Sequence, residues 1–185
     1  TGKTTTLTHR VAWLIHSGTD PRRILLLTFT RRSAAEMLNR VSSCLQRMQR
    51  QATESGSQGG GSLSNAIWGG TFHAMAARLL RQHGKLIGLE PDFTVLDRSD
   101  SEDLLDVVRA ELKLSTERRR FPLKQTCLSI YSRCINSRAK LQVVLEEIFP
   151  WCVDFEDELK QLFKGYVDRK DRLNCLDYDD LLLFW

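Results

Sequence analysis

A chain of 185 residues with 42% hydrophobic and 27% charged residues can bury a core and stay in water; it fits one domain, or one domain carrying an insertion. No run approaches the roughly 18–20 apolar residues of a bilayer-crossing helix, and Cys44, Cys127, Cys134, Cys152 and Cys175 form no C-x-x-C pair, so neither a membrane span nor zinc is expected, only reduced, mostly buried cytosolic thiols. The net charge of +4 is uneven: residues 1–50 hold nine Lys or Arg against two acids and residues 151–185 nine acids against five bases, which points to a polyanion near the first segment.

The chain opens Thr1-Gly2-Lys3-Thr4-Thr5-Thr6. This reads as the second half of a phosphate-binding loop, G-x-x-x-x-G-K-[ST], whose anchoring glycine is not in the chain. In such a loop glycines let backbone N–H groups curl around phosphate oxygens, the lysine reaches the terminal phosphates, and the hydroxyl after it holds Mg²⁺. The competing reading is a helix that happens to follow a Thr-Gly turn. From Thr4 the apolar residues Leu7, Val11, Ala12, Leu14 and Ile15 recur at helical spacing, and Gly18 with Asp20-Pro21 ends the pattern. Ile24 to Phe29 is a short apolar run that fits a strand buried on both faces of a parallel sheet. Loop, helix, turn and strand is the order of a nucleotide-binding α/β domain with its first strand missing.

A second helix is expected from Arg31 to about Arg50, with small residues at its start that let it lie close to the sheet. Gln51 to Asn65, centred on Gly59-Gly60-Gly61, has the composition of a flexible surface loop. Ala66 to Gly69 reads as a second strand, and Thr71-Phe72-His73-Ala74 starts a helix reaching about His83. Phe93 to Leu96 is extended, and Ser99-Asp100-Ser101-Glu102 matches a capping box. Helical patterns follow at about 100–113, 123–139, 142–149, 153–172 and 177–185, punctuated by Pro122 and Pro150. The acidic run Asp177-Tyr178-Asp179-Asp180 sits in a helical pattern with no apolar strand before it, which argues for helix capping by Asp177, Asp179 and Asp180 over metal binding; a position near nucleic acid is the alternative.

Gly2-Lys3-Thr4-Thr5, Leu27-Thr28-Phe29-Thr30 leading into Ser33-Ala34-Ala35-Glu36-Met37, Gly70-Thr71-Phe72-His73 and Leu176-Asp177-Tyr178-Asp179-Asp180-Leu181-Leu182 occur in this order. In order and spacing they closely resemble the superfamily-one DNA helicases of the UvrD/Rep/PcrA type, over essentially the whole chain. The resemblance implies a RecA-like P-loop α/β domain with a truncated parallel sheet over 1–98, an all-helical inserted subdomain over 99–172, and a return segment over 173–185. It implies ATP and Mg²⁺ as cofactors, held by Gly2, Lys3, Thr4 and Thr5, with Lys3 catalytic and Thr4 on the metal. It also implies single-stranded DNA and duplex junctions as partners, 3′ to 5′ translocation with unwinding, and DNA contacts from Phe29, Thr30, Arg31, Thr71 and His73. Phe29 and Phe72 as core residues, and His73 as a structural helix-start residue, are the alternatives. Arg31-Arg32 stands where Asn-Lys is usual in that family, and Ala74 where serine is common. The family's catalytic Asp-Glu pair is expected downstream of residue 185. A P-loop nucleotide or small-molecule kinase would explain Gly2-Lys3-Thr4 but not the two Thr-Phe corners. A non-catalytic nucleic-acid-binding module would fit the residues present.

Overall fold

The computed structural model describes residues 2–53, 66–114 and 121–185, the side chains of 49–53 excepted. The expected Gly-rich loop therefore lies almost wholly outside the described residues. The chain forms two compact units, Thr1–Met75 and Ala76–Trp185.

In the first unit, α1 (Lys3–His16) is followed by a 3₁₀ turn at Pro21–Arg23, β1 (Leu25–Thr28), α2 (Arg31–Thr53) and β2 (Trp68–Thr71). The 3₁₀ turn forms where Asp20 accepts a hydrogen bond from the Arg22 N–H at 2.9 Å and Pro21 fixes the first dihedral. β1 and β2 pair in parallel, Leu25 with Trp68 through Thr28 with Thr71, joined by α2. The strand expected over Ala66–Gly69 thus lies two residues later. Two adjacent glycines, with no side chain to show alternation, hide that strand from a pattern reading.

Val11, Ala12 and Ile15 of α1 and Met37, Val41, Cys44 and Leu45 of α2 enclose Ile24, Leu26 and Ile67. β1 is not buried on both faces as its apolar run suggests. Leu26 is 8% exposed in that core, whereas Leu25, on the opposite face by alternation, is 48% exposed. The close approach of α2 to the sheet is visible at Gly69, where a Cβ would stand 2.7 Å from Leu38 Cδ2.

The helix α3 (Phe72–His83) leads into the second unit, which continues with β3 (Thr94–Val95), α4 (Arg98–Glu111), α5 (Lys124–Ser137), α6 (Leu141–Ile148), α7 (Glu156–Leu173), β4 (Cys175–Leu176) and α8 (Tyr178–Leu183). β3 and β4 are parallel neighbours, Thr94 beside Cys175 and Val95 beside Leu176, so α4 to α7 form an excursion between two paired strands. Those helices share one core, including Leu105, Ile130, Leu145, Leu159, Leu162 and Tyr166. Ala76, Ala77, Leu80, Phe93, Leu176 and Leu181 form another. The capping box of α4 is built two residues earlier than expected. Asp97 caps and Asp100 answers, because Asp97 is the last extended residue and both carboxylates reach the other's N–H.

Candidate functional site

At the start of α1, Gly2 is the N-cap and offers no side-chain hydrogen bond to the first turn, which carries no acid. The N–H groups of that turn therefore keep their capacity for an anion. A Cβ on Gly2 would meet nothing within 4 Å, so the approach is open. Lys3 and Thr5 are exposed and Thr4 is half-buried. The hydroxyls of exposed Thr6 and buried Thr8 bond back to their own helix, donating to the Gly2 carbonyl at 3.0 Å and the Thr5 carbonyl at 2.8 Å. The uncapped, acid-free turn with a lysine and a hydroxyl beside it suits a nucleotide's phosphates with their Mg²⁺.

Two corners stand at the carboxyl ends of β1 and β2. Because Thr28 and Thr71 are register partners in a parallel pair, the strands end level and both chains turn into helices on one rim. After β1, Thr30 caps α2: its hydroxyl accepts the Ser33 N–H at 3.1 Å and donates to Ser33 Oγ at 2.8 Å. After β2, Thr71 does the same for α3, accepting the Ala74 N–H at 3.3 Å. Both threonines are thus helix caps as well as candidate contacts. Phe29 and Phe72 meet across the rim with ring centroids 5.3 Å apart and planes tilted by 43°. Phe29 is 89% exposed, which excludes a core role for it; Phe72 is half-buried behind it. Arg31 is exposed, and His73 is half-buried in the first turn of α3.

The first turn of α1 faces that of α2. A groove of about 730 Å³ is lined by Thr5, Thr8 and His9 on one side and by Arg32, Glu36 and Arg40 among others on the other. The phosphate-type turn and the Phe29–Arg31 corner are thereby brought to the same end of the unit.

The acidic run of the second unit has a different character. Asp177 caps α8 with Asp180 in a reciprocal box, and Lys170, a residue 2% exposed, donates from Nζ to Asp177 Oδ2 at 2.6 Å and to Asp180 Oδ2. Tyr166 donates to Asp177 at 2.9 Å, and Asp179 accepts from Ser132 and, at 2.8 Å, from Asn136. All three carboxylates are therefore occupied internally. The capping expected for Asp177 and Asp180 is present; Asp179 instead ties α8 to α5. A strand does precede Asp177, but at two residues β4 is too short for periodicity to reveal. Lys170 carries no motif signal; its spacing of seven and ten residues from the two acids across a turn becomes a contact only through folding. Tyr178, 44% exposed, and half-buried Asp179 line a cleft of about 430 Å³ with Arg98 and Arg133.

Burial raises the Asp180 carboxyl above its ordinary 3.8; Lys170 opposes this, and the charge on Asp177 adds to it. Burial also works to raise Asp177, but Lys170 outweighs it and holds that carboxyl below 3.8.

The family described as the UvrD/REP helicase N-terminal domain matches residues 1–185, and the chain belongs to it. It is similar to DNA helicase II of Haemophilus influenzae, 36% identical over 184 residues, which covers 98% of the chain and 23% of that protein. It is likewise similar to DNA helicase II of Escherichia coli K12, at 32% identity over 98% of the chain and 22% of that protein. ATP-dependent DNA helicase PcrA of Leuconostoc citreum is 31% identical over 185 residues, again 98% of the chain and 22% of the relative. The chain thus spans less than a quarter of the length of the relatives it matches.

Proposed function

We propose that the protein carrying this chain hydrolyses ATP with Mg²⁺ to move 3′ to 5′ along single-stranded DNA and to open duplex junctions, in a cytoplasmic setting such as DNA repair. On this reading 1–98 is the RecA-like domain, 99–172 the helical insertion and 173–185 the return segment. The pairing of β3 with β4 around the α4 to α7 excursion supports that division. Gly2, Lys3, Thr4 and Thr5 hold the nucleotide, with Thr4 toward Mg²⁺, which supplies charge neutralisation at the phosphates. Lys3 places its ammonium against the γ-phosphoryl oxygens, where negative charge must be stabilised during transfer. Phe29 stacks on an unpaired base, while Thr30, Arg31, Thr71 and His73 hold the backbone beside it without reading sequence.

The observation that carries this reading is the level ending of β1 and β2, which opens both Thr-Phe corners on one rim, while Thr5 of α1 and Arg32 of α2 line one groove. A nucleotide or small-molecule kinase gives no reason for two Thr-Phe corners on that rim. The decisive experiment is Lys3→Ala in the full-length protein. ATP turnover should fall by about 10²-fold or more with the thermal midpoint unchanged, since Lys3 is exposed. Turnover near the wild-type rate would overturn the assignment.

A further inference from the structure

The groove between α1 and α2 extends well beyond the phosphate-type turn. Along α2 it is lined by Arg32, Asn39, Arg40, Ser43 and Arg47, all exposed. Positions 32, 36, 40, 43 and 47 recur at steps of three and four, so the arginines share one helix face. At 1.5 Å rise per residue the stripe from Arg32 to Arg47 is about 22 Å long. His9 and Thr5 face it from α1. The one acid among the described lining residues, Glu36, pairs with Arg40, but both side chains are about half exposed, so water screens the pair and Arg40 is readily recruited elsewhere. Among the described residues, Arg47 bonds a carbonyl of its own helix, that of Ser43, at 3.4 Å.

A docked protein segment would need apolar anchors, and among the described residues the lining offers Ala35 and the buried Cys44. A phosphodiester backbone needs nothing beyond cations and hydrogen-bond donors, which is what the stripe supplies. We infer that this groove is a second DNA contact, a sequence-independent phosphate track that continues from the Phe29–Arg31 corner along α2. The inference rests on the DNA-binding reading above and adds where the strand runs after leaving the corner.

The test is an anisotropy titration of the full-length protein with a fluorescent oligo-dT across a salt series. Arg40→Gln with Arg47→Gln should flatten the slope of log K against log salt by about 1.4, two single-strand phosphate contacts' worth. Glu36→Gln, which releases Arg40 and removes a repelling charge, should tighten binding a few-fold, a gain that a merely structural role would not produce. Thermal midpoints of both variants should match wild type. An unchanged slope in the double variant, with Phe29→Ala still weakening binding, overturns the track and leaves the corner reading intact. Competition by an acidic peptide with no change in the DNA slope would assign the groove to a protein partner and overturn the inference. If wild type does not bind oligo-dT at all, the DNA reading falls and the track with it.

Discussion

Lys170 is a full charge in the interior of the second unit, and its two carboxylate partners are buried beside it, Asp180 a little less deeply. Burial opposes its ionisation, but Asp177 and Asp180 together outweigh that and raise its pKa above 10.5. Removing one member of such a cluster strands the others, so Lys170→Met should cost about 3–5 kcal/mol, read as a shift in the urea midpoint. The pH dependence follows from the signs. A base whose folded pKa is raised contributes its stability fully below 10.5 and loses it as pH rises through the folded value. Tyr131, pushed by burial to about 12, and Tyr166, raised further still by the same cause, act in the same direction: both stay protonated in the fold while the unfolded chain ionises near 10.0. Cys127, which burial pushes from an ordinary 9.0 to about 12, acts with the same sign, so stability should decline from about pH 9 upward, and Lys170→Met should make the upper part of that alkaline limb shallower without abolishing it. Phe29 presents the opposite case, an aromatic almost wholly in water. Phe29→Ala should leave the urea midpoint within about 0.5 kcal/mol of wild type yet weaken oligo-dT binding by about 1–3 kcal/mol. Its exposure was not legible in the sequence, because an apolar run that ends in Phe reads equally well as core.

Among the elements, helix starts were the most readable feature and their capping residues the least. Thr30 and Thr71 each stand immediately before a helix start, where a threonine hydroxyl can cap, and both caps form. Asp97 was displaced in the reading by Ser99 because two boxes two residues apart are indistinguishable until the backbone decides which residue is last extended. Asp97→Ala should cost about 1 kcal/mol. α4 and α7 meet at Gly165, where a Cβ would stand 2.8 Å from Val108 Cγ1. Alanine there gains about 1 kcal/mol of helix propensity. Val108, β-branched and 3% exposed, cannot turn aside, and overpacking costs about 1–3 kcal/mol. The clash should win, so Gly165→Ala is expected to lower the urea midpoint rather than raise it.

At the scale of the whole molecule, the two units match different parts of the sequence reading. The first gathers the nucleotide-type turn and both Thr-Phe corners; the second closes the α4 to α7 excursion with β4 and secures it through Lys170. Among the described residues no helix is long and apolar enough to cross a membrane. Because the chain spans less than a quarter of its relatives, the assay belongs to the full-length protein. Its ATP turnover should rise on adding oligo-dT. A nucleotide or small-molecule kinase would show no such stimulation, so a flat response would favour that alternative.

The sequence by itself determined the family, the order of the elements and the residues able to hold phosphate, because those depend on local spacing and residue type: a glycine before a lysine, apolar positions at helical steps, threonine at a helix start. Only tertiary structure decided what each of those residues has left to offer. It turned Phe29 outward, committed Asp177 and Asp180 to Lys170 and Asp179 to α5, and lined up Arg32, Arg40 and Arg47 against a second helix. Those outcomes depend on which segments meet in space, and burial and pairing are set by neighbours distant in the chain.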